Sequence, residues 1–245
     1  MKKLFIISFI LISLTLTLAQ EDGDVGWVAR FGAAGGVNPA FVFPNLDPIN
    51  SQIKKIGIDQ LSNSGMFVLG GSGYIYIMLV ENLRVGGMGI GGTKSTSGLV
   101  GGLNKEVKYN YGFGGVTVEY TLPFVKNIAV SFGAILGAGS SSIEIYQNAG
   151  SFTWEDTWRK VNNGIVLTNQ VSDKISNTFF TIAPTVNIDI PLSRFIAFRI
   201  GGGYVAAISG DWKINNGQSI ANIPSDLSIN SFFIQTGIYF GLIAF

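Results

Sequence analysis

The stretch INSFFIQTGIYFGLIAF, Ile229 to Phe245, runs for 17 residues without a charge and sets bulky apolar side chains at alternate positions. That period belongs to a β-strand. A strand apolar on one face and small or apolar on the other has to be covered by protein or by lipid. Which of the two depends on the rest of the chain.

The chain opens MKKLFIISFILISLTLTLAQED. Lys2 and Lys3 precede an apolar run from Leu4 to Leu18, and Thr17-Leu18-Ala19 supplies the small residues of a cleavage site, so residues 1–19 are expected to be a signal peptide. The run is shorter than the roughly 20 residues of a membrane-spanning helix. There is no Cys in the sequence, which excludes a lipid-anchored lipoprotein and any disulfide. Of the 16 Lys and Arg, two lie in the leader, leaving 14 against 15 Asp and Glu. Nucleic acid would call for a clustered basic face, so it is not an expected partner.

The composition is 47% hydrophobic and 13% charged, with 33 Gly, and mean hydropathy is +0.38. Beyond the leader no apolar segment reaches membrane-helix length, so the apolarity is spread over short pieces, as in a transmembrane β-barrel. Alternating runs fall at 26–36, 65–80, 83–95, 106–122, 127–146, 175–190, 194–210 and 229–245, which predicts eight strands. Short connections at Glu81-Asn82, 122–126 and 191–193 alternate with long ones at 37–64, 96–105, 147–174 and 211–228. Tight turns at one end and extended loops at the other are the asymmetry of an outer-membrane barrel. The expected fold is an all-β, eight-stranded antiparallel barrel over residues 20–245.

In the sixth run Phe180, Ile182, Pro184, Val186, Ile188 and Ile190 share one face, with Thr181, Thr185, Asn187 and Asp189 opposite. Pro184 in mid-strand predicts a bulge or a local opening. The chain resembles small eight-stranded outer-membrane barrels, the class that contains OmpX, OmpW and the OmpA membrane domain. The resemblance implies the bacterial outer membrane as location and its lipid as surroundings. It also implies the barrel-assembly machinery as a partner, reading Tyr239, Ile243 and Phe245 as its signal.

The chemistry-bearing motifs are few. GMGIGG, Gly87 to Gly92, spells a dinucleotide fingerprint, but TKSTSG follows without a helical period, so it reads as a glycine-rich strand. The sequence has no His, which removes Ser-His-Asp triads and His metal sites. No enzymatic activity, catalytic residue, metal or cofactor is expected.

Strand parity places Arg30, Arg84, Glu119, Asp189 and Arg199 inward near the tight-turn end, where mutual pairing would close the barrel floor. The same parity points Tyr74, Tyr76, Met88, Ile90, Tyr109, Tyr111 and Phe113 inward, with Val68 and Ile135, around an expected apolar lumen pocket. Gly70, Gly86, Gly133, Gly137 and Gly203 are read as leaving it room. In NLDPINSQIKKIG, Asp47 is the expected N-cap of an amphipathic helix, with Pro48 next and Gly57 as its stop. Its isoleucines must bury against the barrel mouth or the membrane surface. Trp154 and Trp158 mark the long loop at 147–174. Two functions stand: binding or passing a small apolar molecule, and a structural or surface-recognition barrel with a closed floor.

Overall fold

A computed structural model describes residues 32–77, 79–125, 128–150, 152–155, 158, 162 and 169–243. The leader expected at 1–19, Arg30 and Phe245 lie outside them. Eight long antiparallel strands form the wall: β1 (Gly32–Pro44), β2 (Met66–Tyr76), β3 (Leu83–Val100), β4 (Leu103–Thr121), β5 (Ala129–Asn148), β6 (Val171–Ser193), β7 (Ile196–Ser209) and β10 (Ser231–Ile243). Each pairs with its neighbour in sequence, and β10 pairs with β1 from Gly32↔Ile243 to Pro44↔Ser231, so the sheet closes on itself. A small hairpin, β8 (Lys213–Ile214) and β9 (Gln218–Ser219), leans on the top of β6. The helix α1 (Asp47–Ile56) follows β1.

The first strand lies later than expected. Asn38-Pro39 reads as a break after residue 36, yet Pro39 stays in register with Leu69 of β2 and interrupts only the pairing to β10, between Val37↔Ile238 and Ala40↔Gln235. A proline removes one donor, and a strand held from its other side survives that loss. Pro184 behaves alike. Pairing to β7 lapses between Ile182↔Ala206 and Thr185↔Gly203 without a change of register, while Pro184 keeps its place opposite Ala134. The opening is there and the bulge is not. The register shift lies instead between Pro191 and Ser193, and those residues complete β6, leaving Arg194 and Phe195 as the turn.

The expected long loop at 96–105 is not a loop. Gly101 and Gly102 have φ of 60° and 78°, the left-handed pair that a two-residue hairpin needs, so β3 and β4 run on to that turn. The strands from β3 to β6 therefore hold 18, 19, 20 and 23 residues, against 11 to 14 for the others. One side of the barrel stands taller.

The outer face shows why. On β6 the outward residues from Phe180 to Ile190 are apolar throughout, and Phe180 is 72% exposed. Ten residues at about 3.3 Å rise and a tilt of about 40° span roughly 25 Å, the height of a barrel's lipid band. Above Phe180 the outward residues become Thr178, Ser176, Lys174 and Ser172. Large apolar side chains ring the whole lower wall, among them Val37, Phe67, Leu136, Ile200, Ile234 and Leu242. Water would not tolerate such a continuous belt on a monomer. The belt faces lipid, and the tall part of β3–β6 projects beyond it.

Candidate functional site

The lumen holds three levels. At the turn end, four buried charges meet. Arg84, Glu119, Asp189 and Arg199 are 1%, 4%, 2% and 3% exposed. Arg84 donates from Nη1 to Asp189 Oδ2 at 2.5 Å and from Nη2 to Glu119 Oε2 at 2.7 Å. Arg199 donates from Nε to Asp189 Oδ1 at 2.5 Å and from Nη1 to Glu119 Oε1 at 3.2 Å. Each arginine thus bridges both carboxylates, and the formal charges cancel. Parity turns all four inward and register brings them together: Arg84↔Glu119 and Asp189↔Arg199 are directly paired positions on β3–β4 and β6–β7.

Neutral groups extend this floor to every wall strand. Ser131 on β5 accepts from Arg84, and Asn187 on β6 donates to Glu119 at 3.0 Å. Gln235 on β10 donates to Asn187, and Asn38 on β1 donates to Gln235 and to the Tyr239 hydroxyl. Ser72 on β2 donates to Asn38 and also contacts Tyr239. The Arg84 guanidinium lies 4.4 Å from the Tyr74 ring centroid, and that of Arg199 lies 4.6 Å from Tyr239, so aromatic faces cover what the carboxylates leave open.

Above the floor, the residues expected around a lumen pocket separate into two groups. Tyr74 and Tyr76 belong to the floor, beside Ala34, Ala197 and Tyr239. Met88, Ile90, Tyr109, Tyr111 and Phe113 join Val68, Ile135, Phe179 and Phe233 in one packed core. Tyr111 stacks on Phe179 at 5.9 Å, and Phe113 meets Phe233 edge-on at 5.6 Å. The inward glycines do not leave room here. A Cβ on Gly70, Gly86, Gly133, Gly137 or Gly203 would fall within 1.8–2.4 Å of a neighbouring strand's carbonyl oxygen. In so narrow a barrel the wall coils tightly, and glycine admits the adjacent backbone itself.

The open space lies at the third level, the mouth. An apolar crevice of about 180 Å³ is lined by Ile49, Gln52, Ile53 and Ile56 of α1, Val107 of β4, Ile143 and Ile145 of β5, Ile175 of β6, and Ile223, Pro224 and Leu227 of the last loop. The helix therefore buries its isoleucines in the barrel mouth, not on the membrane. Its start differs from expectation: Asp47 is the first helical residue, Leu46 precedes it without a side-chain cap, and the Asp47 carboxylate accepts from Asn63 at 2.9 Å. Gly57 closes the helix in the left-handed conformation at φ 83°. Side chains of the β3–β4 hairpin clasp the segment that follows. Lys105 donates to the Ile56 carbonyl at 2.9 Å, Lys94 to those of Ser62 and Gly65 at 2.6 Å, and Thr96 to that of Asp59 at 2.7 Å.

The fold is that of a small eight-stranded outer-membrane barrel. Solved structures share its outline. The outer membrane protein OprG from Pseudomonas aeruginosa is 12% identical, with a TM-score of 0.46 over 88% of this chain and 97% of that one. A major outer membrane protein from Thermus thermophilus is 10% identical, at 0.45 over 86% and 98%. The outer membrane protease OmpT from Escherichia coli is 8% identical, at 0.39 over 90% and 100%. These likenesses are of barrel shape and carry no chemistry across. No protein-family model and no curated protein matches the chain.

Several site residues escape a reading of the sequence. Ile143, Ile145 and Ile175 extend the inward parity of Ile135 and Thr181, and following it above the lipid band would have found them. Ile223 and Leu227 sit in a loop without period, and nothing local marks them. Among the described residues no group of three or more Asp or Glu side chains converges as a metal site would require.

Proposed function

We propose that this outer-membrane barrel holds a small apolar molecule at its outward mouth, in the crevice between α1 and the tall wall. The observation that carries the reading is the crevice lining, which among the described residues is aliphatic with Gln52 as its single polar side chain. Ligand sites are concave and mostly apolar with few placed polar groups. A dry apolar cavity of about 150 Å³ is enough to hold one benzene. The packed core and the ionic floor beneath support binding at the mouth in preference to passage down the lumen.

The test uses the barrel in lipid nanodiscs with a trifluoromethyl-capped octanol followed by fluorine NMR. A saturable shift beyond that of protein-free discs is expected. Ile223→Asp, which places a carboxylate in the crevice wall from a loop outside the barrel ladder, should abolish it. Identical spectra with and without wild-type protein would remove the reading.

A second reading, surface recognition, is favoured by one observation. Trp154 and Trp158, 73% and 53% exposed, meet edge-on at 5.7 Å in the connection between β5 and β6. Exposed paired tryptophans suit recognition of a partner outside the cell.

For assembly, we propose that the barrel-assembly machinery reads Tyr239 and Ile243 on the last strand together with Phe245, which lies outside the described residues. Tyr239 is also a floor residue, so the informative change is Phe245→Ala. It should lower the amount of barrel in the outer membrane while leaving the unfolding midpoint of assembled barrel nearly unchanged. Equal membrane levels would remove the assignment.

A further inference from the structure

The crevice at the mouth is apolar on every side but one, and the chemistry of that side is one-signed. Gln52 is its single polar lining residue among the described residues, and the Lys55 ammonium lies 3.2 Å from Gln52 Oε1. An ammonium only donates, so the amide must turn its oxygen to the lysine. What Gln52 then presents to the crevice edge is its NH₂ group, a donor. Lys55 adds further N–H groups and a positive charge, and Lys54 lies beside it in the same last helical turn. Among the described residues no carboxylate lines the crevice, and the acid on the helix, Asp47, is engaged by Asn63. The polar edge therefore offers donors and positive charge.

We propose that the crevice takes a short aliphatic anion, its chain among the isoleucines and its carboxylate on the Gln52 amide and the Lys55 ammonium. This rests on the reading of the crevice as a binding site and adds the class of ligand. Among the described residues the lining is aliphatic without an aromatic ring, which suits a flexible chain. A volume of about 180 Å³ suits a chain on the order of six to eight carbons, scaled from the cavity of about 150 Å³ that takes one benzene. The charge sits at the rim in contact with water, so the anion need not shed its hydration shell. That limits the electrostatic gain to the range of exposed ion pairs, up to roughly fivefold in affinity.

The experiment displaces the trifluoromethyl-capped octanol from the barrel in zwitterionic nanodiscs, using octanoate, octanol and octylamine at neutral pH and low salt. Wild type is expected to bind octanoate roughly fivefold more tightly than octylammonium, with octanol between. Lys55→Met should level the three, and Lys55→Glu should invert the order. Lys108→Glu, a change on β4 that leaves the crevice lining intact, should keep the wild-type order. If the fluorinated alcohol binds but the three head groups displace it equally in wild type, the anion assignment is overturned and the crevice reading stands. If octylammonium is preferred by wild type, or if Lys55→Glu leaves the order unchanged, the assignment to Lys55 is likewise overturned. Failure of the fluorinated alcohol to bind at all removes both.

Discussion

Glu119→Ala lowers the stability of the barrel by about 3–5 kcal/mol, the cost of breaking a dry ion pair from one side. Glu119 accepts from Arg84 at 2.7 Å, from Arg199 at 3.2 and 3.3 Å and from Asn187 at 3.0 Å. Without it two guanidinium groups share Asp189 alone, and a buried site that was neutral carries a net positive charge. Water can relieve that charge only by entering between side chains that now exclude it. Glu119→Gln keeps the shape and one acceptor oxygen, so it should cost less than Glu119→Ala. The double change Glu119→Ala with Arg84→Met removes the orphaned charge as well and should recover part of the loss, since the penalty lies in the unpaired partner and not in the missing attraction. Urea unfolding in lipid vesicles reads all three. An unchanged midpoint for Glu119→Ala would mean that the floor is wet and the network contributes nothing. Planar-bilayer recordings of wild type should show no stepwise current, and a steady open conductance would contradict the closed floor.

Gly137→Val should cost about 4 kcal/mol or more, or prevent folding, whereas Gly89→Val should be close to neutral. Both glycines sit in the same four-strand region of the wall. At Gly137 a Cβ would lie 2.0 Å from the Gly114 carbonyl oxygen and 2.7 Å from the Gly115 Cα, both backbone atoms of the paired strand β4. Backbone cannot yield without tearing the β4–β5 ladder. At Gly89, which faces lipid, a Cβ meets nothing within 4 Å, and valine suits both the strand and the apolar surroundings. Refolding yield and urea midpoint of the two variants, side by side, give the answer. Equal tolerance would mean that the inward glycines are spacers around an open lumen. The contrast tests whether the lumen is filled by the wall's own curvature.

The parts legible in advance were those that depend on period two. Alternation places Thr181, Thr185, Asn187 and Asp189 inward and Phe180, Ile182 and Val186 outward, and the structure keeps that division. It also places Arg84, Glu119 and Arg199 on the inner face near the turn end. What period two does not contain is register and curvature. Whether Thr96, Ser97 and Gly98 continue a strand or enter a loop depends on Gly101 and Gly102 accepting a left-handed turn, and a strand that has left the lipid carries polar residues such as Ser95 and Ser97 on its outward face, which reads as loop. The crevice is a case of the same kind. Its lining comes from five separated segments, and only closure of β10 onto β1 brings the last loop over α1.

By itself, then, the sequence determined an even-stranded antiparallel barrel with a lipid-facing exterior, because side-chain alternation is a local property that any closed sheet must respect. It determined that the inner face carries charges of both signs at one end and apolar bulk above them, because parity needs no knowledge of neighbours. Only the tertiary structure decided that Arg84 and Arg199 each bridge Glu119 and Asp189, that the glycines are points of backbone contact, and that the open space lies at the mouth. Those outcomes depend on strand stagger, on the tight coil of an eight-stranded wall and on a helix folding back into the opening, and each sets distances between residues far apart in the chain.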